Sequence, residues 1–398
     1  ESLETVLPDT KALYSWYHSI VKDVNVEKSE VLKSITDSLL VGVEDTQEKA
    51  KKIYYWVQDN IKYVAFEDGM GGFVPRNASL VCQRRFGDCK DMSSILVEML
   101  GYAGIEGHLT WIGTRDLPYR YSEIHTPAVD NHMIASYNFK GKTVFLDAVG
   151  TYTPYGFTTE MIQGKEALIG VNDKEFQIQK VPVVAKQDNA KTDVVQLSIY
   201  KEKLIGKGEI IARGYSKLDM VYGLINLNDT KRKEKLITLL HKGNNKFLVD
   251  EASFDGIADR DKDLNLKYKF TLGNYINRYK NELYINLHLT KELRGSDVDT
   301  AKREGVPVKF DYTMMNNYTV SFAIPKGYLL HHIPSDESFE GDHFGFHFMY
   351  SKSGGKVTLE TVYYNDLLIM DESHFEQWNE MVAKLSLAYK ENLVFKKQ

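Results

Sequence analysis

The chain has 398 residues, of which 43% are hydrophobic, and a formal net charge of −5 at pH 7. That length predicts two or three domains, and the apolar content is enough for sizeable cores, which excludes wholesale disorder. The acidic balance gives no basic footprint for nucleic acid, and no run of about eighteen apolar residues exists that could cross a membrane as a helix.

The chain opens Glu1-Ser2-Leu3, with neither an initiating Met nor a signal segment, and is expected to be a fragment. Residues 9–22 start at Asp9 and carry Leu13, Trp16, Tyr17 and Ile20 at helical spacing. A second helix is predicted over 28–40, on Val31, Leu32, Ile35 and Leu39. Asp45 and Glu48 make a capping-box pattern, and the helix behind them has Ala50, Ile53, Tyr54, Val57 and Ile61 as its stripe. Residues 64–86, with Gly69, Gly71, Gly72 and Pro75, read as a long loop, a natural wall for a cleft. Cys82 within it reads as structural.

Gly87-Asp88-Cys89-Lys90-Asp91 then opens an amphipathic helix, with Met92, Ile95, Leu96, Met99 and Leu100 on its apolar face. Asp88 is an N-cap type, and Gly101 and Gly104 end the pattern. Cys89 therefore stands at the positive end of a helix, which favours the nucleophilic thiolate. Taken alone, a small buried hydrophobe is the commoner role for such a cysteine.

A strand follows at 108–112, then a polar and aromatic loop over 114–130 (Arg115, Tyr119, Arg120, Tyr121, Glu123) placed to line the cleft. Two β-prone runs, Asn131 to Phe139 and Lys142 to Ala148, flank Lys140-Gly141, the signature of a two-residue hairpin turn. With that turn Phe139 faces Lys142, and His132 and Asp147 become diagonal neighbours on one face, within reach of each other. A register slip of one residue would separate them. An Asp after Val144-Phe145-Leu146 also needs a polar partner, because burying a lone carboxylate is costly. Asn131 either helps place the imidazole or begins the strand.

Cys, His and Asp in this order, with the Cys opening a helix and the others on adjacent strands, resemble the transglutaminase-like branch of papain-type folds. The pieces that carry the resemblance are Phe86 to Asp91, Gly101-Tyr102-Ala103-Gly104-Ile105, Asn131-His132-Met133, Leu146-Asp147-Ala148 and the preceding Ile53 to Tyr63. It covers roughly residues 45–170. Within that superfamily the chain is similar to exported bacterial proteins, in which such a core follows one β-rich domain and precedes another. The resemblance implies a periplasmic or otherwise exported protein whose upstream domain is absent here. It also implies an oxyanion donor at Gln83, six residues before Cys89, for which a surface glutamine is the equal alternative. Lys90 and Asp91 match the family motif and are expected to shape the site.

Polar composition around 172–193 places a boundary near 188. Strands are predicted beyond it at 194–200, 204–212, 247–254, 264–272, 282–289, 308–314, 318–324, 344–350 and 357–364, with a helical insertion at 215–242 and a last helix at 372–392. The expected organisation is a catalytic domain with N-terminal helices over 1–188, a β-rich domain over 189–300 and a C-terminal β-rich region over 301–398. The fold class is α+β: a transglutaminase-like core followed by antiparallel β-sandwich-like domains with appended helices. Asp259-Arg260-Asp261-Lys262-Asp263 begins like a calcium loop, but Leu264 and Phe270 stand where the loop needs Gly and Glu, so it reads as a polar turn. No zinc spacing, phosphate loop or dinucleotide fingerprint is present, and no cofactor is expected.

The expected function is thiol-dependent acyl transfer through Cys89, His132 and Asp147 on a peptide or protein substrate, with water as acceptor (a peptidase or amidase). An amine acceptor would make it a transglutaminase by the same acyl-enzyme. A binding or scaffold protein with a vestigial fold is the third alternative.

Overall fold

The computed structural model describes residues 7–65, 68–294, 298, 300 and 303–398. The chain divides into two compact units at Val183/Val184.

The first unit begins with α1 (Thr10–Val21), α2 (Glu30–Leu39) and α3 (Thr46–Asn60), followed by β1 (Lys62–Tyr63), α4 (Ala78–Arg84), β2 (Phe86–Gly87) and α5 (Cys89–Tyr102). The side chains of Asp9, Ser29 and Asp45 accept hydrogen bonds from the first helical N–H groups of α1, α2 and α3, so each start is fixed by a local polar cap. The expected long loop at 64–86 contains α4, too short at seven residues to show a helical period. Next come β3 (Gly107–Ile112), β4 (His132–Phe139), β5 (Lys142–Leu146), β6 (Glu166–Gly170) and β7 (Phe176–Lys180). They form an antiparallel sheet in the order β5-β4-β3-β6-β7.

The β4–β5 hairpin has the expected register, from Phe139 opposite Lys142 to Ala135 opposite Leu146. Lys140 and Gly141 both have positive φ, 50° and 78°, as the tight turn between right-twisted strands requires. Ile95, Leu96 and Met99 of α5 pack with Ile53 and Val57 of α3 and with Ala135, Tyr137 and Leu146 of the hairpin. Removing that apolar surface from water is worth about 1.5–3 kcal/mol per large side chain. The burial therefore holds α5 against the strands that carry the other polar residues of interest.

The second unit contains β8 (Lys191–Tyr200), β9 (Lys203–Ala212), α6 (Gly214–Leu224), α7 (Asp229–Leu239), β10 (Phe247–Asp255), β11 (Leu264–Leu272), β12 (Asn277–Tyr279), β13 (Glu282–Ile285) and β14 (Val308–Lys309). It continues with β15 (Met314–Ala323), β16 (Tyr328–His332), β17 (Glu337–Glu340), β18 (Phe344–Ser353), β19 (Lys356–Asn365), β20 (Ile369–Met370), α8 (Phe375–Ala388) and β21 (Leu393–Lys397). An eight-stranded sheet runs β10-β11-β9-β8-β15-β19-β18-β17, antiparallel except for β8 beside β15. A four-stranded sheet runs β12-β13-β21-β16.

Strands from both sides of residue 300 share the larger sheet, and the boundary expected there adjoins residues 301 and 302, outside the described ones. The strand expected over 282–289 stops at Ile285, because the Asn286 side chain accepts the His288 N–H and donates to the Tyr389 carbonyl, replacing ladder bonds. The run at 308–314 is strand only at Val308–Lys309, and β15 starts at Met314. The insertion at 215–242 is two helices, α6 and α7, the second capped by Asn228. No sequence signal marked β21 apart from the helix before it.

Candidate active site

The site is built outward from the start of α5. Asp88 takes the N–H groups of Lys90 (2.9 Å) and Asp91 (3.2 Å), and Asp91 returns by accepting the Asp88 N–H at 3.0 Å. This reciprocal cap satisfies three donors that a helix start would otherwise leave unpaired. A Cβ at position 87 would lie 2.5 Å from the Asp91 Cβ, so glycine is needed there. Lys90, buried, puts its ammonium on Asp88 at 2.8 Å, and Arg76 grips Asp91 with its guanidinium and its backbone N–H. Lys90 and Asp91 thus shape the helix start, the one as the counter-charge of Asp88 and the other as the partner of Arg76. The role expected for them from the motif agrees with these contacts.

Ser93, one turn on, donates to the Cys89 carbonyl at 2.8 Å and to the Met133 carbonyl at 3.0 Å. One hydroxyl therefore ties the cysteine's own turn to the strand that carries His132. His132 and Asp147 are both buried, and Nε2 of the imidazole lies 3.1 Å from Asp147 Oδ2. Cys89 lines the same cavity as His132 and contributes to the upward shift of its imidazole. The three side chains singled out in the sequence thus come together at one place.

Burial works against the charged imidazole, but the Asp147 charge and hydrogen bond, together with Cys89, outweigh it and push His132 up to about 10. Asp147 is held in turn: Thr159 Oγ1 donates to Oδ2, and the Val149 N–H reaches Oδ1 at 3.5 Å. The buried Tyr54 hydroxyl binds the Asp147 carbonyl at 2.9 Å, anchoring its backbone to α3. Thr159 was not visible in the sequence. It lies in the segment 150–164, where Tyr155 bonds the Tyr137 hydroxyl and meets Tyr54 edge-on.

A cavity of about 390 Å³ opens at this row, lined by Gly69, Gly72, Phe73, Cys89, Lys90, Trp111, Pro127, Asp130, Asn131, His132 and Met133. The glycine-rich segment before α4 contributes Gly69, Gly72 and Phe73 to its wall; of the loop over 114–130 only Pro127 and Asp130 do, and Arg115, Tyr119, Arg120, Tyr121 and Glu123 are absent from the lining. Gln83 does not: it is exposed on α4 and absent from the cavity lining. Asn131 spends its amide on Thr114, accepting its N–H at 2.9 Å and donating to its hydroxyl at 3.1 Å, so it fixes the start of β4. Asp130 Oδ2 accepts from the hydroxyls of Tyr17 (2.7 Å) and Tyr121 (2.8 Å). Burial raises its carboxyl to about 6 against the lowering effect of those two bonds. Among the described residues no group of His, Cys, Asp and Glu could hold a metal ion. No helix of the described residues is long and apolar enough to cross a membrane.

Comparison with known proteins extends these observations. Residues 281–395 match a domain of unknown function with a solved structure (DUF3858). The crystal structure of a candidate protease from Parabacteroides distasonis ATCC 8503 superposes with a TM-score of 0.57 at 11% identity, over 100% of this chain and 63% of that one. The chain thus spans less than two thirds of that protein's length, and the likeness is one of fold. A candidate cysteine protease from Cytophaga hutchinsonii matches over 30% of this chain and 37% of its own, at 16% identity and a TM-score of 0.24. No curated protein matches the chain. Residues 33–140, which include α3, the start of α5, His132 and the first strand of the hairpin, match the transglutaminase-like superfamily, and the chain carries a domain of that superfamily there.

Proposed function

We propose that the protein is a cysteine hydrolase of amide bonds, with Cys89 as nucleophile, His132 as proton carrier and Asp147 as the group that orients and charges the imidazole. The observation that carries this reading is the row itself. Cys89 shares a cavity wall with a buried imidazole whose Nε2 sits 3.1 Å from a buried carboxylate, and it acts on the titration of that ring. In that order the three groups can do nucleophilic acyl transfer. With His132 raised to about 10, the proton of Cys89 already rests on the imidazole, and the thiolate attacks the amide carbonyl carbon. The C–N bond breaks as the imidazolium protonates the departing amine, and a thioester remains. The neutral His132 then takes a proton from water, the hydroxide displaces the thiolate from the thioester, the acid leaves and the thiolate–imidazolium pair is restored. The Cys89 N–H has no acceptor within its own helix and is placed to bind the oxyanion.

The cavity size suits a peptide segment, since small-ligand sites run from about 300 to 1,000 Å³. The description of the Parabacteroides protein as a candidate protease is in keeping with hydrolysis.

The test is the rate of iodoacetamide alkylation of Cys89 against pH, in a Cys82→Ser background, with and without His132→Ala. Fast alkylation well below neutral pH that disappears with His132 is the expected result. An ordinary thiol profile, near pH 8.5 and indifferent to His132, would sink the proposal and leave a binding module.

A further inference from the structure

The cavity at Cys89 contains one acidic side chain that the acyl-transfer chemistry does not use. Asp130 stands two residues before His132 on extended backbone, φ −133° and ψ 158°, so the two Cα atoms are roughly 7 Å apart. Its Oδ2 is fully occupied by the hydroxyls of Tyr17 and Tyr121. Its Oδ1 has no hydrogen-bond partner among the described residues, and it is not one of the side-chain atoms sealed away from solvent without one. No Lys, Arg or His of the described residues forms an ion pair with Asp130. The cation in the same wall, Lys90, is already held by Asp88 at 2.8 Å.

The other charged groups of the row compensate each other, His132 with Asp147. Among the described residues that line the cavity, Asp130 is therefore the uncompensated charge, a carboxylate with one oxygen clamped by two tyrosines and the other without a hydrogen-bond partner. Trp111 lines the same wall and is itself fixed by stacking on Tyr17, with centroids 4.9 Å apart and an interplanar angle of 11°. An open carboxylate in a wall that also carries an aromatic side chain suits an ammonium group better than any neutral or anionic one.

We propose that Asp130 is the specificity anchor for a primary ammonium group of the substrate, carried within about two residues of the scissile bond. This rests on the hydrolase reading for its meaning, but not for its measurement. The tyrosine clamp explains why the carboxylate is held still in a partly dry wall. Two hydroxyl donors fix the plane of the carboxyl without neutralising it, so its charge remains available to a ligand. Two sources supply the same chemistry, a peptide's α-amine and the side-chain amine of lysine or a shorter diamino acid.

Binding to the full chain carrying Cys89→Ala separates the inference from turnover. The probe is a pool of casein peptides cut by chymotrypsin, in three forms. In the first all amines are free. In the second lysines are acetylated before the cut, so that only the new α-amines are free. In the third every amine is acetylated after the cut. Peptides retained by the immobilised protein are counted by mass spectrometry. The expected result is retention of the free form and roughly a ten- to hundred-fold drop in the fully acetylated form.

Adding Asp130→Asn should bring the free form down to the acetylated level. Asparagine keeps an oxygen for Tyr17 and Tyr121, so this variant should melt like its parent. The second form assigns the amine: retention there means the α-amine, and loss there means the side chain. Equal retention of free and fully acetylated peptides, no effect of Asp130→Asn, or no retention of any form would overturn the inference. Failure of the hydrolase reading shows separately, in the alkylation profile of Cys89, which does not involve Asp130.

Discussion

Each unit buries a histidine, and the two are driven in opposite directions. His132 in the first unit is 7% exposed and His288 in the second is 2% exposed. Burial of itself disfavours the imidazolium in both. At His288 nothing among the described residues opposes it: Nε2 meets the Tyr350 hydroxyl at 3.0 Å, Nδ1 has no partner among them, Lys291 adds repulsion, and the group falls to about 3. At His132 the Asp147 carboxylate and Cys89 reverse the effect and the group rises to about 10. The same side chain is a neutral packing element in one place and a held cation in the other. Burial alone therefore marks nothing. What marks a site is a charge partner on one side of the ring, a nucleophile on the other and a cavity beside them.

The sharpest way to break the contrast is to remove the nucleophile or the base. Cys89→Ala and His132→Ala should each abolish amide turnover, by about 10³-fold or more, and the double variant should lose little beyond either single one, because the two act as a unit. Any substitution at His288 should leave the alkylation rate of Cys89 at acid pH where it was. If His288→Phe slowed it as His132→Ala does, the distinction drawn between the two histidines would be wrong.

The second unit has its own buried ion pair, and it predicts a large effect of another kind. Lys242 Nζ lies 2.7 Å from Asp193 Oδ2, with both side chains buried, and the Tyr268 hydroxyl bonds both carboxylate oxygens. Asp193→Asn would leave a buried ammonium without a counter-charge, a change that costs about 3–5 kcal/mol. Denaturant unfolding followed in the second unit should show that loss, with Cys89 reactivity unaltered. An unchanged midpoint would mean that Lys242 finds another partner or deprotonates.

The two histidines also give opposite pH signatures. The folded-state value of His288 lies below the ordinary 6.5, so its contribution is present above 6.5 and lost as pH falls toward about 3. That of His132 lies above 6.5, so its contribution is present below 6.5 and lost as pH rises through about 10. The His288 shift corresponds to a stability difference on the order of 3–5 kcal/mol across its window. As pH falls from 7 to 3, melting temperatures should drop less steeply for His288→Phe than for the parent. Parallel curves would show that His288 titrates normally in the folded chain.

Much of the first unit was legible because its signals are local. Asp9, Asp45 and Asp88 announce helix starts, and their side chains cap α1, α3 and α5. Lys140-Gly141 sets the hairpin register, which in turn decides that His132 can meet Asp147. Gln83 shows the limit of offset reasoning. The five residues between it and Cys89 include the left-handed Arg85 that ends α4, and they leave the amide exposed. Asp130 and Thr159 were not legible as site residues, because no regular pattern sets their contacts: Tyr17 lies 113 positions from Asp130, and Tyr121 and Thr159, though only 9 and 12 positions from their partners, reach them from irregular segments. The second unit was readable as strands but not as sheets, since the pairing of β8 with β15 and of β13 with β21 depends on contacts that no local pattern encodes.

The smallest expected effect lies at Thr159, and it tests how far the first unit's row extends. The hydroxyl donates to the same Asp147 oxygen that faces His132 Nε2. Replacing threonine by valine keeps the shape and removes only the donor. Asp147 retains His132 and the weaker Val149 N–H, so the carboxylate is loosened but not orphaned. A hydrogen bond of this kind is worth about 1 kcal/mol net, which corresponds to roughly a five-fold loss of turnover. The acid-pH alkylation of Cys89 should persist, because the imidazole keeps its counter-charge. If turnover holds while the melting temperature drops, Thr159 supports the fold and nothing more. If turnover collapses as completely as in His132→Ala, the carboxylate has swung off the ring, and the hydroxyl is what separates His132 from the state of His288.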